Sequence, residues 1–139
     1  MQKIIVMILF SLNIKGSVPK TLKGDEKKLR QILLNLISNA IKYTREGSVS
    51  VDVDTVYKER QCIRFVVKDT GIGIKKDNID KIFEAFERVD LEKNQGIVGT
   101  GLGLSIVKSL VELMEGQISV KSEYGKGSEF EIIIPKLNH

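Results

Sequence analysis

The chain has 139 residues, 42% of them hydrophobic and 29% charged, which suits one globular domain with a buried core. Its formal net charge of +4 is compatible with an anionic ligand. The basic residues are interleaved with acids, however, and do not form the stripe that nucleic-acid-binding domains carry, so we expect no nucleic-acid partner. The single cysteine, Cys62, excludes a disulfide framework and is typical of a cytoplasmic protein.

The first element in the chain is the apolar run over residues 4–10. It is too short to span a bilayer, and no small-residue cleavage site follows it, so a signal-peptide core is the less favoured of two interpretations. Its richness in β-branched residues predicts a buried strand over residues 3–14, ended by Gly16 and Pro19.

An amphipathic helix follows, from about Glu26 to about Thr44, with Asp25 as its N-cap. Apolar residues at helical spacing define its buried face: Leu29, Ile32, Leu33, Leu36, Ile37, Ala40 and Ile41. Polar residues share the opposite face: Gln31, Asn35, Asn39 and Lys42. Asn is a mediocre helix former, and two of them one turn apart are unusual. This face is therefore either a solvated surface or part of a binding site.

Two stretches of alternating polarity predict an antiparallel hairpin with a turn near residues 58–60. Their inward-facing residues are Val49, Val51, Val53, Ile63, Phe65 and Val67. The second strand places Asp69 at its C-terminal end, directly before Gly71 and Gly73.

The remaining elements lie after this hairpin. A short helix is marked by Ile79, Ile82, Phe83 and Phe86, and a second helix follows residues 99–104 and ends with Gly116 as its C′ residue. Two strands close the chain, on either side of a turn at residues 125–127. Three helices and about five strands predict an α/β (α+β) fold, a two-layer sandwich on a mixed, mostly antiparallel sheet.

Two glycine-rich turns, residues 69–74 and 99–104, allow the backbone to approach a ligand closely. The second begins a helix, whose first N–H groups and dipole suit a phosphate. Familiar phosphate loops do not fit, because Leu102 replaces the lysine of a Walker A loop and no strand leads into a G-x-G-x-x-G fingerprint. The H-R-D and D-F-G partners of a protein-kinase glycine loop are also missing. Asp69 has an alternative role as the cap of its own turn.

Four segments resemble, in order and spacing, the nucleotide site of histidine kinases, a family related to gyrase and to the chaperone and mismatch-repair ATPases. Residues 30–44 are similar to the N box, 69–74 to the G1 box, 82–88 to the F box and 99–104 to the G2 box. Residues 125–130 (GKGSEF) close a match that covers about residues 22–135. The resemblance implies the Bergerat ATP-binding fold in a single domain over residues 1–139, with ATP and Mg²⁺ as ligands.

The resemblance also implies a role for each matching position. Asp69 would accept a hydrogen bond from the adenine amino group, which disfavours guanine because a carboxylate is acceptor-only. Asn39 would bind Mg²⁺. Asn35 and Lys42 would act at the phosphates, and Arg88 would reach the γ-phosphate. Further nucleotide contacts are implied for Tyr43, Gly71, Gly73, Ile74, Phe83, Gly99, Thr100, Gly101, Leu102, Gly103, Leu104 and Ser128.

Residues 87–100 lack a sustained period and have the length of a lid. The glycines that follow would be its hinge, and Phe83 and Phe86 would anchor it, with a core role as the alternative for both. We predict that the lid is not ordered without nucleotide, because the γ-phosphate contacts that fix such a segment would be absent.

Asn35 distinguishes two reactions. Water-splitting members of the superfamily carry a glutamate as general base one helical turn before the Mg²⁺-binding asparagine, whereas an amide cannot take a proton at neutral pH. This departure favours phosphoryl transfer to another nucleophile over hydrolysis. The alternatives are a superfamily ATPase, an anti-sigma-type serine kinase, or a nucleotide-binding module without catalysis.

Histidine kinases phosphorylate a histidine on a separate dimerisation domain, but the one histidine here is His139, on the terminal tail. We therefore predict the catalytic domain of a longer sensor kinase, without its dimerisation and sensor domains. The expected partners are the histidine-bearing dimerisation domain of the parent and a downstream response regulator. The domain is expected to be cytoplasmic and monomeric in isolation, within a homodimeric parent whose membrane anchoring stays open.

Overall fold

The computed structural model describes residues 8–14, 26–44, 46–83 and 101–135. Eight elements lie in these ranges: β1 (Ile8–Ile14), α1 (Glu26–Lys42), β2 (Gly47–Lys58), β3 (Arg60–Asp69), α2 (Lys76–Ile79), α3 (Gly101–Leu113), β4 (Gln117–Glu123) and β5 (Gly127–Pro135). The predicted Asp25 cap, the whole of the predicted lid over residues 87–100, and His139 lie outside the described residues.

The five strands form one sheet in the order β1-β2-β3-β5-β4. β1 runs parallel to β2, and the other three pairings are antiparallel. The prediction of a strand is confirmed for β1, but the prediction that it is buried is wrong: Leu9, Leu12 and Ile14 are more than half exposed on this edge strand. The predicted hairpin is present as β2 and β3, with Glu59 at its tip in the left-handed region at φ 63°. The predicted mixed, mostly antiparallel five-stranded sheet is therefore confirmed, and β3 is its central strand.

The helices α1 and α3 lie side by side on one face of the sheet. Alternate residues of the strands point at them, as the period of two requires. The residues with essentially no exposed surface come from both layers: Ile32, Leu36, Val49, Ile63, Val67, Val107, Val111 and Ile132. These side chains belong to one core, which confirms the predicted two-layer sandwich.

The opposite face of the sheet carries a charged cluster centred on Arg64 of β3. Its guanidinium donates two hydrogen bonds to the Asp54 carboxylate, at 2.9 and 2.8 Å, and contacts Glu131 on the other side at 3.5 Å. The hydrogen bond with Asp54 and the surrounding carboxylates raise the pKa of Arg64 above its ordinary value. This cross-strand cluster suits a face that is turned toward water.

Two helices differ in extent from the prediction. α1 ends at Lys42, two residues before the predicted Thr44. The short helix covers Lys76–Ile79, and the chain continues as a turn through Ile82 and Phe83. Phe86, the last residue of the predicted pattern, lies outside the described ranges. Within those ranges no helix is long and apolar enough to cross a membrane.

The prediction that Gly116 is the C′ residue of α3 is wrong, because Glu115 occupies that position. Glu115 has φ 59°, and its N–H donates to the carbonyl of Glu112, while the Gly116 N–H donates to the carbonyl of Val111. This is the pair of bonds that defines a Schellman motif with Gly116 at C″. Glycine is needed there for space, since a Cβ on Gly116 would lie 2.6 Å from the carbonyl oxygen of Ile133.

Candidate functional site

The candidate site is built around Asp69, the last residue of the central strand. β3 is held on both sides at this point, by Val49 of β2 and Ser128 of β5. Asp69 is only 6% exposed. A carboxylate in this position is fixed by two neighbouring strands before the chain turns away from the sheet.

The Asp69 side chain caps the turn that follows it. Its Oδ1 accepts a hydrogen bond from the Gly71 N–H at 2.8 Å, and the backbone of Ser128 donates to the same carboxylate. Burial raises the pKa of Asp69 above its ordinary value of 3.8, and the two backbone hydrogen bonds oppose that shift. The turn-cap role considered from the sequence is thus present, and it orients the carboxylate that was predicted to read the base.

The loop over residues 70–74 is tied to the elements around it. Thr70 bonds to Ser48 in β2, with its N–H donating to the Ser48 carbonyl at 3.0 Å and its Oγ1 accepting from the Ser48 N–H at 2.9 Å. Farther along, the Ile72 N–H donates to the carbonyl of Tyr43 at the end of α1, at 3.1 Å. The loop therefore joins the sheet to the helix that carries the two asparagines.

Gly71 and Gly73 stand where a side chain has no room. A Cβ on Gly71 would overlap the Tyr43 carbonyl and lie 2.8 Å from Thr44 Oγ1. Gly73 has φ 74°, and a Cβ there would overlap the Glu123 carbonyl. The two glycines of the first turn thus allow the loop to press against α1 on one side and the β4–β5 turn on the other.

The polar face of α1 contributes Asn35, Asn39 and Lys42. Asn39 is only 4% exposed, Asn35 is half-buried and Lys42 is exposed in the last turn. An asparagine buried this deeply does not belong to a solvated surface, so the solvated interpretation fails at Asn39, and the role of this face in binding stays a prediction.

Two hydroxyl groups near the site were missed in the sequence analysis. Thr44, just after α1, is 2% exposed, and its Oγ1 is buried with no hydrogen-bond partner in the part of the chain that the structure describes. Nothing in the local sequence signals this. Ser122 accepts the Ile74 N–H at 2.7 Å. It follows Ile118 and Val120 on the inward-facing side of β4, and a polar residue in that register was the available signal.

The phosphate end of the predicted site is described in part. α3 begins at Gly101, and the first N–H groups of a helix have no partner within it. Leu104 and Ser105, next along the helix, are buried. Arg88, Gly99 and Thr100 lie outside the described residues, so their predicted contacts stay predictions.

Phe83 packs into the core at the end of the described turn. Its ring meets that of Phe130 edge-on, with centroids 6.2 Å apart, and it lies against the main hydrophobic cluster. The structure thus shows Phe83 as a half-buried residue that packs against the core, which favours the alternative considered for it. Its predicted contact with nucleotide remains a prediction.

Side chains of the usual metal-binding types are scattered. Across the described ranges there is no group of three or more His, Cys, Asp or Glu residues that could hold a metal ion. A metal that is bound mainly by phosphates and water needs few protein ligands, and one amide oxygen such as that of Asn39 suits it.

Comparison with known proteins decides the family. Residues 24–138 match the sequence model of the histidine kinase-, DNA gyrase B- and HSP90-like ATPases. The chain belongs to this family. It is an ATP-binding domain, and the resemblance inferred from the four boxes is confirmed.

Individual relatives agree with this assignment. The chain is 41% identical over 124 residues to hybrid signal transduction histidine kinase B of Dictyostelium discoideum, an alignment that covers 88% of this chain and 6% of that protein. The crystal structure of full-length ShkA in complex with AMPPNP matches with a TM-score of 0.75 and 36% identity, over 95% of this chain and 26% of that one. The nucleotide-free catalytic domain of histidine kinase ThkA matches with a TM-score of 0.73 and 26% identity, over 93% of this chain and 78% of that one. This chain spans a small part of the full-length relatives.

Proposed function

We propose that this chain is the catalytic part of a sensor histidine kinase. It binds Mg·ATP and transfers the γ-phosphoryl group to a histidine on a separate dimerisation domain. From that histidine the phosphoryl group passes to a response regulator. The observation that carries the nucleotide assignment is the buried Asp69 carboxylate, oriented by two backbone N–H groups at the end of β3. Similarity to proteins named as histidine kinases supports the rest.

Recognition of the base follows from the chemistry of a carboxylate. Ionised Asp69 can only accept hydrogen bonds, and the adenine amino group can donate one, whereas the carbonyl of guanine would face it as a second acceptor. The loop of residues 70–74 holds this acceptor still, since its backbone is bonded to β2 and to the end of α1. Preorganisation of this kind reduces the ordering cost of binding.

The phosphates would lie between α1 and the start of α3. Asn39 would supply one oxygen ligand to Mg²⁺, and the ion would offset charge on the β- and γ-phosphates. Lys42 would add positive charge, and the first N–H groups of α3 would donate to phosphate oxygens. In the transfer, an imidazole nitrogen forms a bond to the γ-phosphorus as the bond to the β,γ-bridging oxygen breaks, and ADP leaves.

Asn35 supports transfer over hydrolysis. It lies one helical turn before Asn39, and its half-buried side chain is an amide that cannot accept a proton from water. Without a general base on this turn, an attacking water is not activated, and the γ-phosphate is kept for an incoming nucleophile.

The test is a transfer assay in trans. The chain is mixed with the isolated dimerisation domain of a histidine kinase and γ-labelled ATP, and label should appear on the second protein as acid-labile phosphohistidine. Asp69→Asn should reduce the label, and Asp80→Asn, which changes an exposed aspartate after α2, should not.

Two outcomes would contradict the proposal. Steady phosphate release by the chain alone at about 1 s⁻¹ or more, a typical enzyme rate, would indicate an ATPase. If the chain binds ATP but forms no phosphohistidine on any dimerisation domain that is tested, it is a nucleotide-binding module without transfer activity.

A further inference from the structure

The hydroxyl group of Ser122 connects two segments of backbone, the loop after β3 and the start of β5. Its Oγ accepts the N–H of Ile74 at 2.7 Å, which belongs to the loop after β3. The same hydroxyl donates to the carbonyl of Gly127 at 2.9 Å, at the start of β5. Ser128 Oγ lies 2.9 Å away and shares the network.

These two segments are the ones that orient the Asp69 carboxylate. One hydrogen bond comes from Gly71, in the loop, and the other from the backbone of Ser128, in β5. The distance between the two donors depends on how the loop sits against β5. Ser122 is placed to set that distance, because it holds Ile74 and Gly127 through one oxygen atom.

Two other contacts along this seam are made at the backbone and do not depend on a hydrogen-bonding side chain. The Gly125 N–H donates to the carbonyl of Ile72 at 2.6 Å, and Gly73 fits against Glu123. In the described part of the chain, Ser122 makes side-chain hydrogen bonds from β4 both to the loop and to β5. Replacing it leaves one partly buried donor and one partly buried acceptor unsatisfied at once.

We propose that Ser122 is a positioning residue for Asp69: by fixing the loop against β5, it sets the carboxylate for the amino group of adenine. The inference rests on the proposed role of Asp69 as the base reader. On this inference Ser122 controls the preference for a base that carries the amino group, and it has little effect on affinity for the rest of the nucleotide.

The experiment compares two nucleotides on the full 139-residue chain. ATP carries the amino group, and purine riboside triphosphate carries the same phosphates and sugar without it. Ser122→Ala should weaken ATP binding about tenfold, the equivalent of one misplaced hydrogen bond, and purine riboside triphosphate less than about twofold. Calorimetric titration with Mg²⁺ present measures both dissociation constants.

Matched variants separate positioning from general damage. Ser119→Ala changes an exposed serine of the same strand and should leave both affinities unchanged. Ser122→Cys keeps the shape with a weaker donor and acceptor, so it should give an intermediate loss for ATP and provides a second reading if the alanine variant is poorly folded. Equal losses of affinity for the two nucleotides in both Ser122 variants would refute the inference. A purely structural role would lower the affinity for ATP and for purine riboside triphosphate by the same factor.

The variant Asp69→Asn, measured first, separates the role of Asp69 in reading the base from the positioning role of Ser122. If this variant binds both nucleotides as the unaltered chain does, the base assignment itself is wrong. If it loses ATP selectively while Ser122→Ala does not, the base assignment stands and the positioning role fails. In the double variant, Ser122→Ala should add less than about twofold to the loss caused by Asp69→Asn, because coupled residues are not additive.

Discussion

Replacing Gly73 with alanine should destabilise the domain by about 3 kcal/mol, and the structure divides that cost into two parts. The backbone at Gly73 has φ 74°, where an L side chain costs about 1–2 kcal/mol. The new Cβ would also lie 2.8 Å from the carbonyl carbon of Glu123 and 2.9 Å from the Cα of Tyr124. Both neighbours are backbone atoms that cannot rotate away, and overpacking of this kind costs about 1–3 kcal/mol.

Gly125 provides the matched control. It too has a positive φ, of 90°, but a Cβ there meets no atom within 4 Å. Gly125→Ala therefore carries the conformational part alone, about 1 kcal/mol. The difference between the two variants isolates the contact between the loop of residues 70–74 and the β4–β5 turn.

Thermal unfolding followed by circular dichroism measures the two costs. For a domain of this size 1 kcal/mol shifts Tm by about 4 °C, so the expected decreases are about 12 °C for Gly73→Ala and about 4 °C for Gly125→Ala. ATP affinity should fall only in the first variant, because only there is the loop after Asp69 displaced. Equal shifts in Tm would refute the close approach of the loop to the turn.

Four further predictions concern charge and packing. Under the proposed function, ionised Asp69 accepts a hydrogen bond from the adenine amino group. Because the pKa of Asp69 is raised, ATP affinity relative to that of purine riboside triphosphate should fall as pH drops from neutral through this raised pKa, and a ratio that does not change with pH would contradict this. The raised pKa also affects stability. The contribution of Asp69 to the free energy of unfolding is present at pH values below the ordinary aspartate pKa and is lost as pH rises through the folded-state pKa. Urea unfolding at several pH values measures this change. Arg64→Met should lower the free energy of unfolding by about 1 kcal/mol at low salt and by less at about 1 M salt, without changing ATP affinity; a loss that ignores salt would exclude the ion pair as its cause. Ile32→Ala should cost about 3 kcal/mol in urea unfolding. Ile41, which the sequence pattern wrongly assigned to the buried face of α1, is 44% exposed, so Ile41→Ala should cost less than about 1 kcal/mol; similar losses would place both residues in the core.

The parts of the fold that were predictable are those in which a local period records burial. The apolar stripe of α1 and the alternation of β2 and β3 each follow from one helix or strand presenting one face to the core. The order of the strands was not predictable in this way. β5 inserts between β3 and β4, and β1 pairs parallel to β2, through contacts between segments far apart in the chain, which no local pattern encodes.

The residues of the candidate site also fall into those that a local pattern predicts and those that it does not. Asp69 and the glycines around it were found because their types and spacing form a motif. Thr44 was not, because no local pattern records that folding buries its hydroxyl group. Ser122 stands in the inward register of β4, but its hydrogen-bond partners come from segments that only folding brings together. Gly116 illustrates a third case: helix-end preferences favour glycine at C′, but the carbonyl of Ile133 requires the small residue one position later.

The central position of β3 has a consequence for the order in which the domain folds. β2 and β3 are joined by a tight turn and can pair as soon as both exist, whereas β5 reaches β3 only after the whole segment between Asp69 and Ser128 has been gathered in. Closing so long a segment is entropically costly, so this pairing is expected late. The Ser128 N–H that orients Asp69 arrives with β5. If Asp69 reads the base as proposed, a chain still emerging from the ribosome would have this aspartate but not its second hydrogen bond, and ATP would bind only once β5 has docked.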